Sequence, residues 1–423
     1  MQNTERNSIL KKLYLLLSGI GPGIFAIGYT IGTGSVTSMI VAGSTYGMQL
    51  LWVLALSCLF SWVLMEAFGR FYLVTGETAL FAFRKHLKFG SLIAILIIIG
   101  ITFGQWNSLV GILGISANVI VETLALFFPF IQGHEYWWVL AVAITIIGVM
   151  YSILWRGQYS IFEKILLFFV TLMGLSFFLS LFIILPEPTE VLKGFIPSIP
   201  QVEGGRMLVA AFVGTTMAAA TFISRPLFIQ GKGWTNNNLK EQQKDALWAA
   251  FLIFIISASI MSVAMGAFYY EGKIVSKVLD MVYALEPIAG RFAIAVFFMG
   301  TLAAGLSSVF PILMIAPLMI ADYQQGKLDT SSRLFKILTG VACLLGLAVP
   351  IFGANPIQAQ ILTQVFNAFV LPLVIVGILI LSNKKELMGE QKAGWALNAG
   401  MLLALVFACI ISYNGIIALW EKI

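Results

Sequence analysis

The sequence predicts an all-α polytopic membrane protein of about eleven transmembrane helices, laid out as a five-plus-five inverted repeat with broken first and sixth helices. Three observations carry that prediction. Hydrophobic residues make up 60% and charged residues 10% of the 423-residue chain, and its mean hydropathy is +0.96, which excludes a soluble globule with an ordinary charged surface. Apolar stretches of about 20 residues, the length a ~30 Å hydrocarbon core demands, recur along the whole chain. The first of them contains Gly21-Pro22-Gly23 and then Gly32-Thr33-Gly34-Ser35 near its middle. Glycine and serine are weak helix formers, and backbone groups freed in lipid have no water to turn to, so such a break is tolerated where it lines a cavity.

The elements follow in order. The first 13 residues are polar (Gln2, Asn3, Glu5, Arg6, Asn7). The span after them, 14–44, is too long for a signal-peptide core and has no small-residue cleavage site, so the N-terminus is expected to stay attached. Further spans are expected at 47–74, 90–127, 136–155, 161–185, 206–230, 246–270, 288–320, 334–352, 357–382 and 395–420. The chain then divides into an N-terminal segment 1–13, a first repeat 14–185 (helices 1–5), a second repeat 206–382 (helices 6–10) and an additional helix 11 at 395–420.

Orientation follows from the cations. Arg6, Lys11 and Lys12 precede the first span, and alternate loops carry Arg84, Lys85 and Lys88, then Arg156 and Lys164. The later ones carry Lys232, Lys240 and Lys244, then Lys327, Arg333 and Lys336, then Lys384, Lys385 and Lys392. The opposite loops hold fewer: Lys193 and Arg206, then Lys273, Lys277 and Arg291, with Lys422 at the end. The positive-inside bias puts the N-terminus in the cytoplasm and the C-terminus outside, in a cell membrane. The net charge of +6 belongs to these loops and points to no nucleic-acid partner. Cys58, Cys343 and Cys409 lie in apolar runs and read as small buried side chains. His86 and His134 fall in expected loops, so no histidine-based metal site and no cofactor are expected.

In an inverted repeat the sixth span occupies the place of the first and should also be interrupted. It reads Gly214-Thr215-Thr216-Met217-Ala218-Ala219-Ala220-Thr221-Phe222 and ends at Arg225-Pro226. Alanine is a good helix former, so an ordinary packed helix with small residues for close approach remains an open reading. Paired broken helices are the sequence mark of a secondary transporter. No Walker loop, nucleotide fingerprint or nucleophile motif stands in a plausible soluble domain, and no enzyme is expected.

The run GPGIFAIGYTIGTGSVTSMIVAGSTYGMQLLWVL resembles the first-to-second span of the NRAMP (natural resistance-associated macrophage protein) divalent-metal transporters, whose pattern there is GPG, DPGN, then AG-x-x-YG-x-x-LLW. Val74-Thr75-Gly76, Leu302-Ala303-Ala304-Gly305 with Ser307-Ser308, Thr363-Gln364 with Leu371-Pro372, and Leu387-Met388-Gly389 extend the resemblance over nearly the whole chain. The fold it implies is that of the amino-acid/polyamine/organocation transporters. The departures are informative. Without gaps, the family's Asp-Pro-Gly-Asn falls on Gly32-Thr33-Gly34-Ser35, its Met-Pro-His-Asn on Ala218-Ala219-Ala220-Thr221, and its next His on Arg225. In the family the Asp, Asn and Met coordinate the metal, and acidic residues linked to its proton route stand where this chain has Gln105 and Ser108.

A dehydrated divalent cation in low dielectric needs anionic or several oxygen ligands, and Mn2+ or Fe2+ selection uses imidazole, carboxylate or soft sulfur. The matched site offers hydroxyls and carbonyls, and Met217 is turned about 100° from the matched position. Ile31-Gly32-Thr33-Gly34-Ser35 instead resembles the Gly-Ser-Gly type break of amino-acid/organocation transporters, where N–H groups of a half-helix bind a substrate carboxylate. The expected substrate contacts are Gly32, Thr33, Gly34, Ser35, Thr215, Thr216, Ala218, Ala220, Thr221 and Gln364. Candidates for coupling or gating are Ser307 and Ser308 (Na+, or simple helix packing), Glu66 (a proton carrier, or neutralised by Arg70 at i,i+4), Gln105, and Arg225, a positive charge that repels metal and attracts anions, or one that snorkels to the interface. The partners expected are a small solute or ion, H+ or Na+, and the lipid bilayer. The function expected is alternating-access transport of a small anionic or zwitterionic solute, not selective for Mn2+ or Fe2+. A divalent-cation carrier of Mg2+ or Mn2+ type with a remodelled site, and a transport-inactive sensor or scaffold, remain open.

Overall fold

The computed structural model describes residues 21–125, 128–183, 186–198, 205–272, 275, 278–352 and 356–420; the N-terminal segment and the start of the first expected span lie outside them. All regular structure among the described residues is helical. The first half comprises α1 (Gly23–Thr30), α2 (Thr33–Tyr46), α3 (Leu51–Thr75), α4 (Ala79–His86), α5 (Gly90–Ala125), α6 (Glu135–Trp155) and α7 (Tyr159–Ile183). A short α8 (Pro188–Lys193) leads to α9 (Gly205–Thr216), α10 (Ala219–Lys232), α11 (Leu239–Phe268), α12 (Val278–Gln325), α13 (Arg333–Gly346), α14 (Ala348–Phe352), α15 (Pro356–Asn383), α16 (Lys385–Met388) and α17 (Trp395–Trp420). Among the described residues ten helices are long and apolar enough to cross a membrane, and the bent pair α1 and α2 makes up to eleven.

The break between α1 and α2 bends the chain by 55°. Ile31 leaves the helical region (φ −102, ψ 79) and Gly32 is extended (φ −109, ψ −172) before the helix resumes. The sixth span is interrupted at Met217 and Ala218, where Ala218 takes φ −59, ψ 119. Residues Gly205–Lys232 still run as one span, without the large bend of the first, because alanines on either side sustain helix where glycines do not.

Layering follows from burial. The apolar windows of Gly205–Lys232 and Ala295–Gln325 are 100% and 89% buried, so α9, α10 and α12 form the centre with α1 and α2. Those of Glu135–Trp155, Tyr159–Phe182 and Trp395–Ala418 are 33% buried, which leaves α6, α7 and α17 outside. Their exposed Trp137, Phe168 and Trp395 suit lipid rather than water.

Two buried carboxylates fasten helix N-termini, where the helix dipole favours negative charge. Asp322 of α12 accepts from Thr78 Oγ1 (2.5 Å), Leu80 N (3.1 Å) and Phe81 N (3.2 Å) at the start of α4. Asp245 of α11 accepts from Gly23 N at 2.9 and 3.1 Å at the start of α1. Asp322→Ala is expected to cost about 1–3 kcal/mol, since it orphans two buried donors and a half-buried third. Thermal unfolding in detergent measures it.

Two expectations are corrected. Cys409 is exposed on the outer helix α17, whereas Cys58 and Cys343 are buried. His86 ends α4 rather than lying in a loop, and its Nε2 is 2.7 Å from Glu77 Oε2. Burial pushes the Glu77 carboxyl up, but its bonds to Lys85 and His86 outweigh this and hold it below the usual range.

Candidate functional site

The interrupted first span releases carbonyls that other spans satisfy. Ser308 Oγ of α12 donates to Gly28 O (2.7 Å), and Thr215 Oγ1 of α9 donates to Thr30 O (3.2 Å). At the sixth-span break, Ser61 Oγ of α3 donates to Thr216 O (3.0 Å). These hydroxyls replace lost ladder bonds in a place without water. The serine pair therefore divides: Ser308 bridges to α1, while Ser307 Oγ donates to Ala304 O in its own helix (2.9 Å). Ser308→Ala is expected to destabilise by about 1–3 kcal/mol through the orphaned Gly28 carbonyl, and Ser307→Ala by much less. Unfolding of the two variants side by side checks this.

A cavity of about 10 Å3, room for about one water, lies at the breaks. Of the expected substrate contacts, Gly32, Gly34, Ser35, Thr215, Ala218 and Gln364 line it. Ser308 and Gln105 join them, and Tyr29, Ser108, Ile112 and Ile312 complete the wall. Thr33, Thr216, Ala220 and Thr221 are buried but stand off the wall, as does Met217. The hydroxyls of Ser35, Thr33, Thr216 and Thr221 have no hydrogen-bond partner among the described residues.

Gln364 and Ser108 of the wall are held from behind by an amide network that sequence reasoning largely missed. Gln360 Nε2 donates to Ser108 O (2.5 Å), Gln364 Nε2 to Ser108 Oγ (3.3 Å), and Asn367 Nδ2 to Gln364 Oε1 (3.1 Å). Its signal was present: Gln360, Gln364 and Asn367 recur at i, i+4, i+7 in an otherwise apolar span, one face of a helix. Glycine at residue 34 lets the network pack as it does, because a Cβ there would displace the Gln364 and Gln360 amides.

Among the described residues the wall carries no carboxylate, thioether, thiol or imidazole. Among the described residues no three His, Cys, Asp or Glu side chains converge to hold a metal. The one ionisable side chain among the described residues of the wall is Tyr29, whose hydroxyl donates to Pro311 O (2.8 Å). Charge at the site is supplied by half-helix ends: the N-termini of α2 and α10 are partly positive, the C-termini of α1 and α9 partly negative.

Arg225 is neither free nor at an interface. It donates from NH2 to Asp245 Oδ2 (2.8 Å) and Gln242 O (3.4 Å), and both charged side chains are 1% exposed. Its charge is therefore compensated by a carboxylate that hydropathy places just outside the seventh span; the helix starts at Leu239 and carries Asp245 inward. The pair sits in a plug. Phe25 stacks on Phe228 (centroids 3.9 Å apart) and on Tyr159 (5.4 Å), Tyr159 OH donates to Phe228 O (3.1 Å), and Lys232 pairs with Glu163. Glu66, off the wall, takes Arg70 NH2 (2.8 Å) and Gln243 Nε2 (2.9 Å), the mutual neutralisation that the i,i+4 spacing allows.

An apolar bundle whose first and sixth spans are interrupted around a buried polar cavity is a secondary transporter of the inverted-repeat class. The pattern described as "Natural resistance-associated macrophage protein-like" matches residues 23–418, and the chain belongs to this Nramp family. It is similar to the divalent metal cation transporter MntH of Vibrio campbellii, 25% identical over 96% of this chain and 93% of the relative. The MntH of a Nostoc species is 24% identical over 98% and 93%. Among solved structures, the manganese transporter of Eremococcus coleocola superposes with a TM-score of 0.72 at 16% identity, covering 95% of this chain and 86% of that one. A closed nucleobase-cation-symport-1 family transporter with bromovinylhydantoin bound superposes at 0.56 and 14% identity, over 95% and 90%.

Proposed function

We propose that the chain is an alternating-access carrier of a small anionic or zwitterionic solute, and that it does not select Mn2+ or Fe2+. The observation that carries this reading is the neutral wall. Gly32, Ser35 and Ala218, which match the family's metal-coordinating positions, all line the cavity and bring neither charge nor sulfur. Serine, threonine and amide groups with two positive half-helix ends suit a carboxylate or similar anion. The cavity of about 10 Å3 belongs to a closed state, so the site opens before it admits a solute. With the N-terminus cytoplasmic, the Arg225–Asp245 plug is the inner gate. Residues 14–185 and 206–382 form the two repeats around the site, with 395–420 appended. Ser308 with the Gly28 carbonyl is the place for a coupling Na+, and proton coupling is the alternative.

Uptake into proteoliposomes of radiolabelled Mn2+, an amino acid and a monocarboxylate tests the reading. Saturable uptake of an organic probe, reduced at least tenfold by Ser35→Leu, is expected. Saturable Mn2+ uptake contradicts it, and uptake of none of the probes favours a sensor or scaffold. A second reading draws on the names of the MntH relatives: a divalent carrier whose ion keeps its water. The observation in its favour is a water-sized cavity walled by oxygens and amides, the surroundings that partly hydrated Mg2+ accepts. Uptake of Mg2+ that is blocked by cobalt(III) hexammine, an inert mimic of the fully hydrated magnesium ion, would mark it.

A further inference from the structure

Away from the breaks, α7 and α11 lie side by side with a gap between them. A cavity of about 360 Å3 opens there toward the lipid, walled by Val170, Gly174 and Phe178 on one helix and Phe251, Ile255 and Ser259 on the other. That volume lies in the range of pockets that bind small molecules. The gap is open beside residue 174, where a Cβ would meet only Ile256 Cδ1 at 3.5 Å, so a small side chain fits there and only a large one fills the space. The wall offers no unpaired polar group: Thr171 and Ser259 donate to Leu167 O (2.6 Å) and Ile255 O (2.8 Å) of their own helices. Phe178 and Phe251 of the lining are exposed. Both helices cross the membrane here, so hydrocarbon, not water, meets the opening.

One end of this groove is charged. The starts of α7 and α11 lie at the same end of the bundle, since Tyr159 OH bonds Phe228 O and Arg225, one turn before Phe228, pairs with Asp245. Lys164 and Lys244 are exposed near those starts, and among the described residues no carboxylate pairs with either. Each stands about ten or eleven residues before the middle of the groove, about 15 Å along its helix. That is half of a ~30 Å hydrocarbon core, the depth of one leaflet. Trp248, exposed and edge-on to Phe251 (5.8 Å), sits between the lysines and the groove, as interfacial aromatics do.

We propose that the α7/α11 groove is a binding site for one anionic phospholipid, with an acyl chain along Gly174 and the headgroup on Lys164 and Lys244. Native mass spectrometry of protein released from nanodiscs of equal phosphatidylglycerol and phosphatidylcholine tests it. One phosphatidylglycerol is expected to stay bound, preferred roughly tenfold or more over phosphatidylcholine, as two lysines at a membrane surface allow. Lys164→Gln with Lys244→Gln, both surface changes, keeps a lipid but loses the preference. Gly174→Trp, checked for folding by its unfolding midpoint, loses the lipid. Equal retention of both lipids by the unaltered protein overturns the proposal, as does unchanged phosphatidylglycerol in the double glutamine variant. So does a dimer that Gly174→Trp dissociates, because a second copy would then fill the groove.

Discussion

Asp245→Ala is expected to destabilise the protein by about 3–5 kcal/mol, more than the loss of any hydrogen-bonding side chain at the breaks or the helix ends other than its partner Arg225. The substitution leaves the Arg225 guanidinium buried with no counter-charge. It also orphans Gly23 N at the first turn of α1, whose position sets the break that follows. Arg225→Ala is expected to cost about as much, because it strands the carboxylate instead. The double change Arg225→Met with Asp245→Leu should recover most of the loss, since exchanging a whole buried pair for apolar side chains is often neutral. Because the pair belongs to the plug, the double variant should also admit thiol reagents to a cysteine placed at Ser35 from the plugged end. Thermal unfolding in detergent and labelling rates read the two effects. Single variants that unfold within about 1 kcal/mol of the unaltered protein would show that the pair is not the structural tie its burial implies.

Gly214→Val carries the second large effect. A Cβ at residue 214 would lie 2.7 Å from the Gln364 carbonyl carbon and 3.4 Å from Ala368 N, so α9 meets the backbone of α15 with no side chain between them. Neither backbone can step aside as a flexible side chain can. Overpacking of this kind typically costs about 1–3 kcal/mol. It also displaces Gln364 from the cavity wall, so uptake of the transported solute should fall more than tenfold even where folding survives. Gly148→Ala is the control: a Cβ there meets nothing within 4 Å, and the change should leave both stability and uptake intact.

The sequence made some of this architecture legible and hid the rest for identifiable reasons. Gly32-Thr33-Gly34-Ser35 announced the first break because glycine and serine cannot hold a helix in lipid without help. The sixth break was equivocal, since Met217-Ala218 lies beside alanines that favour helix, and the span stays nearly continuous. Residues matched through the family resemblance, Gly32, Ser35 and Ala218, come together at one cavity, whereas Thr33, Thr216, Ala220 and Thr221 point elsewhere by a step of helical rotation that spacing alone does not fix. Nothing in the sequence singles out Tyr29 within its apolar span, yet its hydroxyl reaches across to the Pro311 carbonyl. Asp245 was overlooked because its helix begins at Leu239, about two turns before hydropathy rises. Gln360 and Asn367 stood in plain view as a polar stripe, and their role as neighbours of Gln364 emerged only from the packing of α15 on α5.

The central claim is electrostatic: a wall of hydroxyls, amides and backbone dipoles does not replace the hydration of a bare transition-metal ion. Isothermal titration of Mn2+ into the detergent-solubilised protein tests that claim most directly. The account predicts no binding heat at micromolar to low millimolar Mn2+. Micromolar Mn2+ binding that disappears on Ser35→Ala or a bulky replacement of Ala218 would contradict it.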